Sequence, residues 1–302
     1  MVLLEPLQYD FMVRSLVVAI MVGALCAIVG SYLMVQRLAL LGDAISHSVL
    51  PGLAIAFFTG ANLFIGAFIA GILSTVCINL IRTRSNLKED AAMGIVFSAF
   101  FALGIALITT IQKNNKIDLN HFLFGNILGV TPAEVRDTTI VAIIVIFTVT
   151  ILYKELFFYT FDKLGAQAVG LPVHLLDLCL MILIGMTIVA SLKAVGVILV
   201  LSLLVTPAAT AYLLVKRLHQ VMMLGVAIGV ISGISGMYLS FFVQYLPSGP
   251  AIVLVATGFF ILAFLFSPTQ GLLVSTPATP RESPLWRELK GLLGKRKGRF
   301  PS

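Results

Sequence analysis

One carboxylate and one imidazole stand four residues apart in an apolar stretch of the chain, LLGDAISHSVLPGLAIAF at positions 40–57. On a helix, Asp43 and His47 would lie on one face with Cβ atoms about 5 to 6 Å apart, so both side chains could reach one ion. A mixed oxygen and nitrogen pair suits manganese, iron(II) or zinc, whereas calcium and magnesium favour oxygen alone and copper(I) favours sulfur. The spacing therefore predicts a transition-metal site at Asp43 and His47.

Two ligands do not complete such a site, because these ions take about four to six. A two-fold symmetric dimer would supply a second carboxylate and a second imidazole around its axis. The alternative is structural: Asp43 caps a broken helix, and His47 donates a hydrogen bond to a backbone carbonyl. Spacing alone supports the two interpretations equally.

The chain as a whole has the composition of a membrane protein. Of its 302 residues, 59% are hydrophobic and 11% are charged, against about 25% charged in an ordinary soluble domain. Apolar runs long enough to cross a bilayer recur near 12–36, 38–59, 62–81, 91–111, 136–156, 175–192, 194–214, 219–240 and 250–268. They predict an all-α polytopic membrane protein of about eight to nine transmembrane helices, some of them broken, with residues 1–270 as the transmembrane domain.

Helix-breaking residues favour the metal interpretation of the Asp–His pair. Pro51 and Gly52 follow the pair directly, and broken backbone at membrane depth is tolerated only where it faces protein or a water-filled cavity. The pair is therefore expected to line a cavity. A second break is predicted in VGVILVLSLLVTPAATAYLL at 195–214, where Thr206 and Pro207 would kink a helix at a pore or dimer seam.

Basic residues set the expected orientation, because cytoplasmic loops collect Lys and Arg. Arg82, Arg84 and Lys88 place the loop after the third run inside. Counting crossings from there puts residues 157–174 and the C-terminus in the cytoplasm as well. Lys193 is left as a lone basic residue on the outer side.

Residues 271–302 are predicted to form a basic, disordered cytoplasmic tail. The stretch from Arg281 to Arg299 holds seven basic and two acidic residues, which is most of the net charge of +7. Basicity confined to a tail argues against a nucleic-acid partner and favours contact with membrane lipid of the cytoplasmic leaflet. The sequence has neither a G-x-x-x-x-G-K-[ST] phosphate loop nor an H-E-x-x-H motif, so we do not expect an enzyme or hydrolysis of ATP by this chain.

A short cytoplasmic helix is predicted in YTFDKLGAQAVGLPVH at 159–174. Asp162 is a candidate N-cap, and Gly170 and Pro172 are stop signals. Such a helix is either a connector or a docking element for a soluble partner, and composition does not decide between the two.

Three stretches together resemble one family: 40–57, TFDKLGAQAVGLP at 160–172 and 195–214, with support from FLFGNILGV at 122–130. They are similar to the membrane permease subunits of the ATP-binding-cassette importers for zinc, manganese and iron. The resemblance covers about residues 11–268, and the string G-D-A-x-S-H-x-x-x-P-G is its most specific part.

The resemblance implies a homodimer in a bacterial plasma membrane, paired with two copies of a cytoplasmic ATP-binding subunit and supplied by an extracytoplasmic metal-binding protein. It also implies that Asp43 and His47 line the translocation path, and that Asp162, Ala166 and Gly170 belong to a helix that docks on the ATPase. Manganese, zinc or iron would be cargo, with no cofactor bound permanently.

The predicted function is therefore that of a permease subunit for a divalent transition metal. One alternative is a secondary, proton-coupled metal transporter, which would be expected to carry carboxylates in several spans, whereas Asp43 is nearly alone. Another is a permease of the same importer class for a metal chelate, a large ligand that would not require an Asp–His pair.

Overall fold

The structure, a computed structural model, describes residues 2–111, 127–243 and 245–267. These residues form α-helices and short 3-10 segments at Val2–Gln8 and Ile127–Gly129, with no β-strand among them. The helices are α1 Asp10–Val35, α2 Leu41–Ser48, α3 Leu50–Thr59, α4 Leu63–Arg84, α5 Glu89–Ile111, α6 Pro132–Ile151, α7 Tyr153–Phe161, α8 Lys163–Ala168, α9 Val173–Val195, α10 Val197–Leu214, α11 Leu218–Phe242 and α12 Ser248–Phe266. The predicted tail at 271–302 lies outside the described residues.

Eight segments of the described chain are long and apolar enough to cross a membrane, namely α1, the α2–α3 pair, α4, α5, α9, α10, α11 and α12. The α6–α7 pair is a ninth candidate and is bent by 71°. These segments confirm the predicted all-α polytopic architecture of eight to nine spans.

Helix α6 differs from the straight crossing expected at 136–156. It starts at a capping box, in which Thr131 Oγ1 accepts from the Glu134 amide at 3.3 Å and Glu134 Oε2 accepts from the Thr131 amide at 2.9 Å. This reciprocal cap stabilises an earlier start. The helix ends at Ile151, and the chain turns there into α7, whose first turn carries Lys154 and Glu155.

The predicted breaks have different outcomes. The span from Leu41 to Thr59 is broken as expected, between α2 and α3 at Val49. By contrast, α10 is one helix with Pro207 inside it, so the prediction of a broken helix there is wrong. A proline is tolerated inside a transmembrane helix that is packed among neighbouring helices, and Pro207 is buried.

The helices pack in two sets, and the broken span α2–α3 belongs to the second of them. Helix α1 packs on α10 and α11, and α10, α11 and α12 pack on one another. The second set joins α9 to α4, α3 to α4 and α5, and α2 to α5. Glycine permits the closest approach in the first set, where a Cβ on Gly30 of α1 would collide with the Leu204 carbonyl oxygen of α10.

Polar contacts lie at both ends of the bundle, which are called inner and outer according to the predicted orientation. At the inner end, Arg82 of α4 pairs with Asp177 at the start of α9. At the outer end, Lys193 Nζ lies 4.0 Å from Glu134 Oε1 and 3.7 Å from Asp137 Oδ2. The basic residue that the sequence left alone on the outer side therefore has two carboxylate partners.

Candidate metal site and docking helix

Asp43 and His47 lie on one face of α2, as their spacing predicts. His47 Nε2 is 3.5 Å from Asp43 Oδ1. The Asp43 side chain is 53% exposed and that of His47 is 27% exposed, although the residues around them in α2 are buried. The pair therefore presents one oxygen and one nitrogen donor at an open edge of the packed helices.

Two aromatic rings hold the His47 imidazole from the side. The ring centroids of Phe97 and Phe101 in α5 lie 5.6 Å and 5.5 Å from that of His47, with edge-on geometry. His47 Nδ1 is buried, and no described group is hydrogen-bonded to it. Most metal-binding imidazoles are oriented by a hydrogen bond to the second nitrogen, whereas this ring is oriented by apolar contact.

The residues at the break in the span allow α4 and α5 to pack closely against the start of α3. A Cβ on Gly52 would collide with the Gly66 carbonyl oxygen of α4, and a Cβ on Gly104 of α5 would lie 3.1 Å from the Pro51 nitrogen. Pro51 lies in the first turn of α3, where the missing N–H is least costly. Helices α4 and α5 thus clamp the start of α3 and fix where α2 presents its Asp–His pair.

A single copy of the chain does not complete a metal shell within the described ranges. No group of three or more His, Cys, Asp or Glu side chains there is arranged to hold an ion. The Asp–His pair therefore accounts for two ligands, and the exposed side of Asp43 is open to further ones.

Of the three residues assigned to the docking helix, two define its ends and one is buried against the rest of the chain. Asp162 Oδ1 accepts from the Gly165 amide at 2.8 Å and caps α8. Ala166 is fully buried against this chain. Gly170 has φ +87°, a value that favours glycine, and the Leu171 amide closes the helix end on the Ala166 carbonyl at 3.0 Å.

The exposed surface of α8 includes two large apolar side chains. Leu164 is 79% exposed and Val169, which follows the helix, is 72% exposed. Sequence reasoning singled out the residues that shape this helix and did not assign these two to a contact surface. A signal was present, because both lie in a segment predicted to face the cytoplasm, where exposed apolar side chains mark contact surfaces.

Thr206 and Pro207 lie at a helix seam. Thr206 is half-buried, and its carbonyl accepts from Thr210 Oγ1 at 2.7 Å. A Cβ on Gly225 of α11 would lie 3.6 Å from the Pro207 carbonyl oxygen and 3.7 Å from the Ala208 Cα. These are ordinary contact distances, so α11 packs against α10 here with room for a methyl group at Gly225.

The fold and the site define a polytopic membrane transport protein. The chain belongs to the ABC 3 transport family, whose family model matches residues 8–267. This finding confirms the predicted importer permease class and the multi-pass location in a bacterial plasma membrane, and it decides against the secondary transporter.

Several relatives match over almost their whole length. The chain is 47% identical over 276 residues to the manganese transport system membrane protein MntC of Listeria innocua, covering 91% of this chain and 98% of the relative. It is 40% identical over 263 residues to the chelated iron transport system membrane protein YfeD of Yersinia pestis, covering 87% and 88%. The solved structure of PsaBC from Streptococcus pneumoniae in complex with Fab matches with a TM-score of 0.78 at 37% identity, over 89% of this chain and 96% of that one.

Proposed function

We propose that this chain forms the translocation path through which manganese enters the cytoplasm, driven by ATP hydrolysis in a separate subunit. The observation that carries the proposal is the Asp43–His47 pair on α2, 3.5 Å apart and partly exposed just before the interruption at Val49. A relative 47% identical is named for manganese transport. Iron(II) and zinc accept the same donors, and a second relative is named for chelated iron.

A homodimer would complete the ligand set. Two copies related by a two-fold axis place two carboxylates and two imidazoles around one path. The 53% exposure of the Asp43 side chain in a single copy supports this arrangement, since a charged group at membrane depth needs a partner or water. No permanently bound cofactor is part of the proposal, because the metal ion is the cargo.

The ATP-binding subunit would dock on α8 from the cytoplasm. Leu164 and Val169 would supply the apolar contact, while Asp162, Ala166 and Gly170 hold the helix in shape. An extracytoplasmic metal-binding protein would deliver the ion at the opposite face. The transport step itself then requires no enzymatic group in this chain.

Manganese uptake into proteoliposomes tests the function. The chain is reconstituted with its ATP-binding subunit and its metal-binding protein, and metal accumulation is measured with manganese, iron(II) and zinc. Asp43→Ala and His47→Ala are each expected to lose uptake while keeping normal membrane insertion, since each removes half of the donors of one copy. His219→Ala and Asp90→Ala are matched controls, because both side chains are exposed and lie away from the pair.

Wild-type uptake in His47→Ala at matched protein amounts would refute the metal site. Uptake of a metal chelate with no uptake of the free ion would favour the chelate alternative. Equal loss in His47→Ala and His219→Ala would indicate a general defect, and it would also count against the assignment of this pair.

A further inference from the structure

A buried polar cluster joins three helices at the cytoplasmic end of the bundle. The carboxylate of Asp177 in α9 accepts hydrogen bonds from Arg82 in α4, from the Tyr159 hydroxyl in α7, and from Asn79 Nδ2 in α4 at 2.8 Å. The exposed fractions are 7% for the Arg82 side chain, 8% for that of Asp177, 6% for Asn79 and 0% for Tyr159. We call these four residues the Asp177 cluster.

The contacts of the Asp177 cluster favour its displacement as one unit. Separating a buried ion pair leaves an uncompensated charge in a medium of low dielectric constant, which is strongly unfavourable. Removing one partner of a buried, fully bonded network exposes the others to the same penalty. A displacement of α7 is therefore transmitted to α4 and α9 more easily than the cluster is broken.

Two further contacts extend the cluster to the helices on either side. Lys163, the first residue of α8, places Nζ 5.3 Å from the centre of the Tyr159 ring. Glu89, the first residue of α5, places Oε1 3.5 Å from Arg82 Nη1. The candidate docking helix is thus linked through Tyr159, Asp177 and Arg82 to the start of α5.

Helix α5 leads from this cluster to the candidate metal pair. Phe97 is eight residues beyond Glu89, or about 12 Å along a helix. Phe97 and Phe101 are the rings that flank the His47 imidazole. Side-chain contacts at each end, joined by the helix α5, therefore form a route from α8 to His47.

We propose that the Asp177 cluster is a set of positioning residues that carries a displacement of the docking helix to α5 and so to the His47 imidazole. The inference rests on the proposed function of α8 and of the Asp–His pair. The state of the ATP-binding subunit then sets the geometry of the metal pair through this cluster. A cluster that only held the helix ends together would stabilise the fold without affecting that coupling.

Tyr159→Phe tests the contact between α7 and Asp177, because it removes one hydroxyl and keeps the ring. Tyr32→Phe is its matched control, since Tyr32 is also fully buried and its hydroxyl has no hydrogen-bond partner among the described residues. Both variants are reconstituted with the ATP-binding subunit and the metal-binding protein. Manganese imported per ATP hydrolysed is expected to fall about two- to thirtyfold in Tyr159→Phe, the range typical of coupling through side-chain networks. It is expected to stay at the wild-type value in Tyr32→Phe.

Glu89→Gln tests the contact between Arg82 and the start of α5 without risk to folding, because the Glu89 side chain is 41% exposed. Asp90→Asn is its matched control. Both residues lie in the first turn of α5 and lose the same favourable interaction with the helix N-terminus, but no described partner ties Asp90 to the cluster. The manganese affinity of the complex is measured with and without bound ATP, and the difference between the two states is expected to shrink in Glu89→Gln alone.

The outcomes separate this inference from the proposed function. A wild-type complex that imports no metal would refute the proposed function. A wild-type complex that imports manganese, with Tyr159→Phe and Glu89→Gln coupled like their controls, would overturn the inference alone. Equal losses in a variant and its control would also overturn it, because they would assign the cluster to stability only.

Discussion

The seam between α3 and α4 makes a quantitative prediction about Gly52. A Cβ at this position would collide with the Gly66 carbonyl oxygen and lie 2.6 Å from the Ala70 Cβ. Carbon atoms in contact are normally about 3.5 to 4.0 Å apart, so the two helices must separate by about 1 Å to admit the methyl group. Overpacking of this kind costs about 1 to 3 kcal/mol, and we expect Gly52→Ala to be destabilised by that amount.

The magnitude can be read in thermal unfolding of the purified permease. A loss of 1 to 3 kcal/mol corresponds to a midpoint lower by about 2 to 10 °C. Gly94→Ala in α5 is the matched control, because a Cβ there meets no atom within 4 Å. Relief of the glycine penalty should make this control more stable by about 0.5 to 1 kcal/mol.

Gly52→Ala should also lower manganese uptake, since α3 begins two residues after the helix that carries His47. Ligand geometry must be held within about 0.5 Å for a site to work, and a shift of α3 would move α2 against α5. Uptake is measured in proteoliposomes at matched amounts of folded protein. A Gly52→Ala midpoint equal to or above that of Gly94→Ala would refute the reasoning, because it would mean that the helices do not approach closely at this seam.

Three further predictions concern the contacts of the site and of the two membrane faces. Phe101→Ala should weaken manganese binding by about 10- to 100-fold, the usual effect of losing a group that orients a metal ligand. Unchanged affinity in a titration of the purified permease would contradict the role given to this ring beside His47. Gly170→Ala should lower the free energy of unfolding by about 1 to 2 kcal/mol, because the backbone φ at this position is +87°. It should also reduce co-purification of the ATP-binding subunit, and full retention would contradict a docking role for α8. Lys193→Met should lower the free energy of unfolding by roughly 1 kcal/mol at low salt and by less at high salt, because Glu134 loses a partly screened partner. A salt-independent loss would point to packing instead.

Local features of the sequence predicted the chemistry of the site. The four-residue spacing of Asp43 and His47 was enough to place both side chains on one helical face, because that relation depends only on the helical repeat. Pro51 and Gly52 were enough to predict the break beside them, since proline removes a donor wherever it stands. Composition was enough to predict a multi-pass membrane protein.

The same local reasoning failed where neighbouring helices decided the outcome. Pro207 was expected to break α10, yet the helix continues through this buried proline. Lys193 was read as an isolated charge, yet it is paired with carboxylates of α6. Whether a proline breaks a helix or a charge finds a partner depends on residues far along the chain.

Tertiary structure alone brought together the residues that position the site. Phe101 is on a different helix from His47, and Arg82 is 95 residues from Asp177. In a soluble protein, the apolar face of each helix would indicate which side packs inward. In a bilayer the side that faces lipid is as apolar as the side that faces protein, so hydrophobic periodicity carries little information about which helices meet. The aromatic clamp on His47 and the Asp177 cluster could therefore be recognised only once the helices were packed.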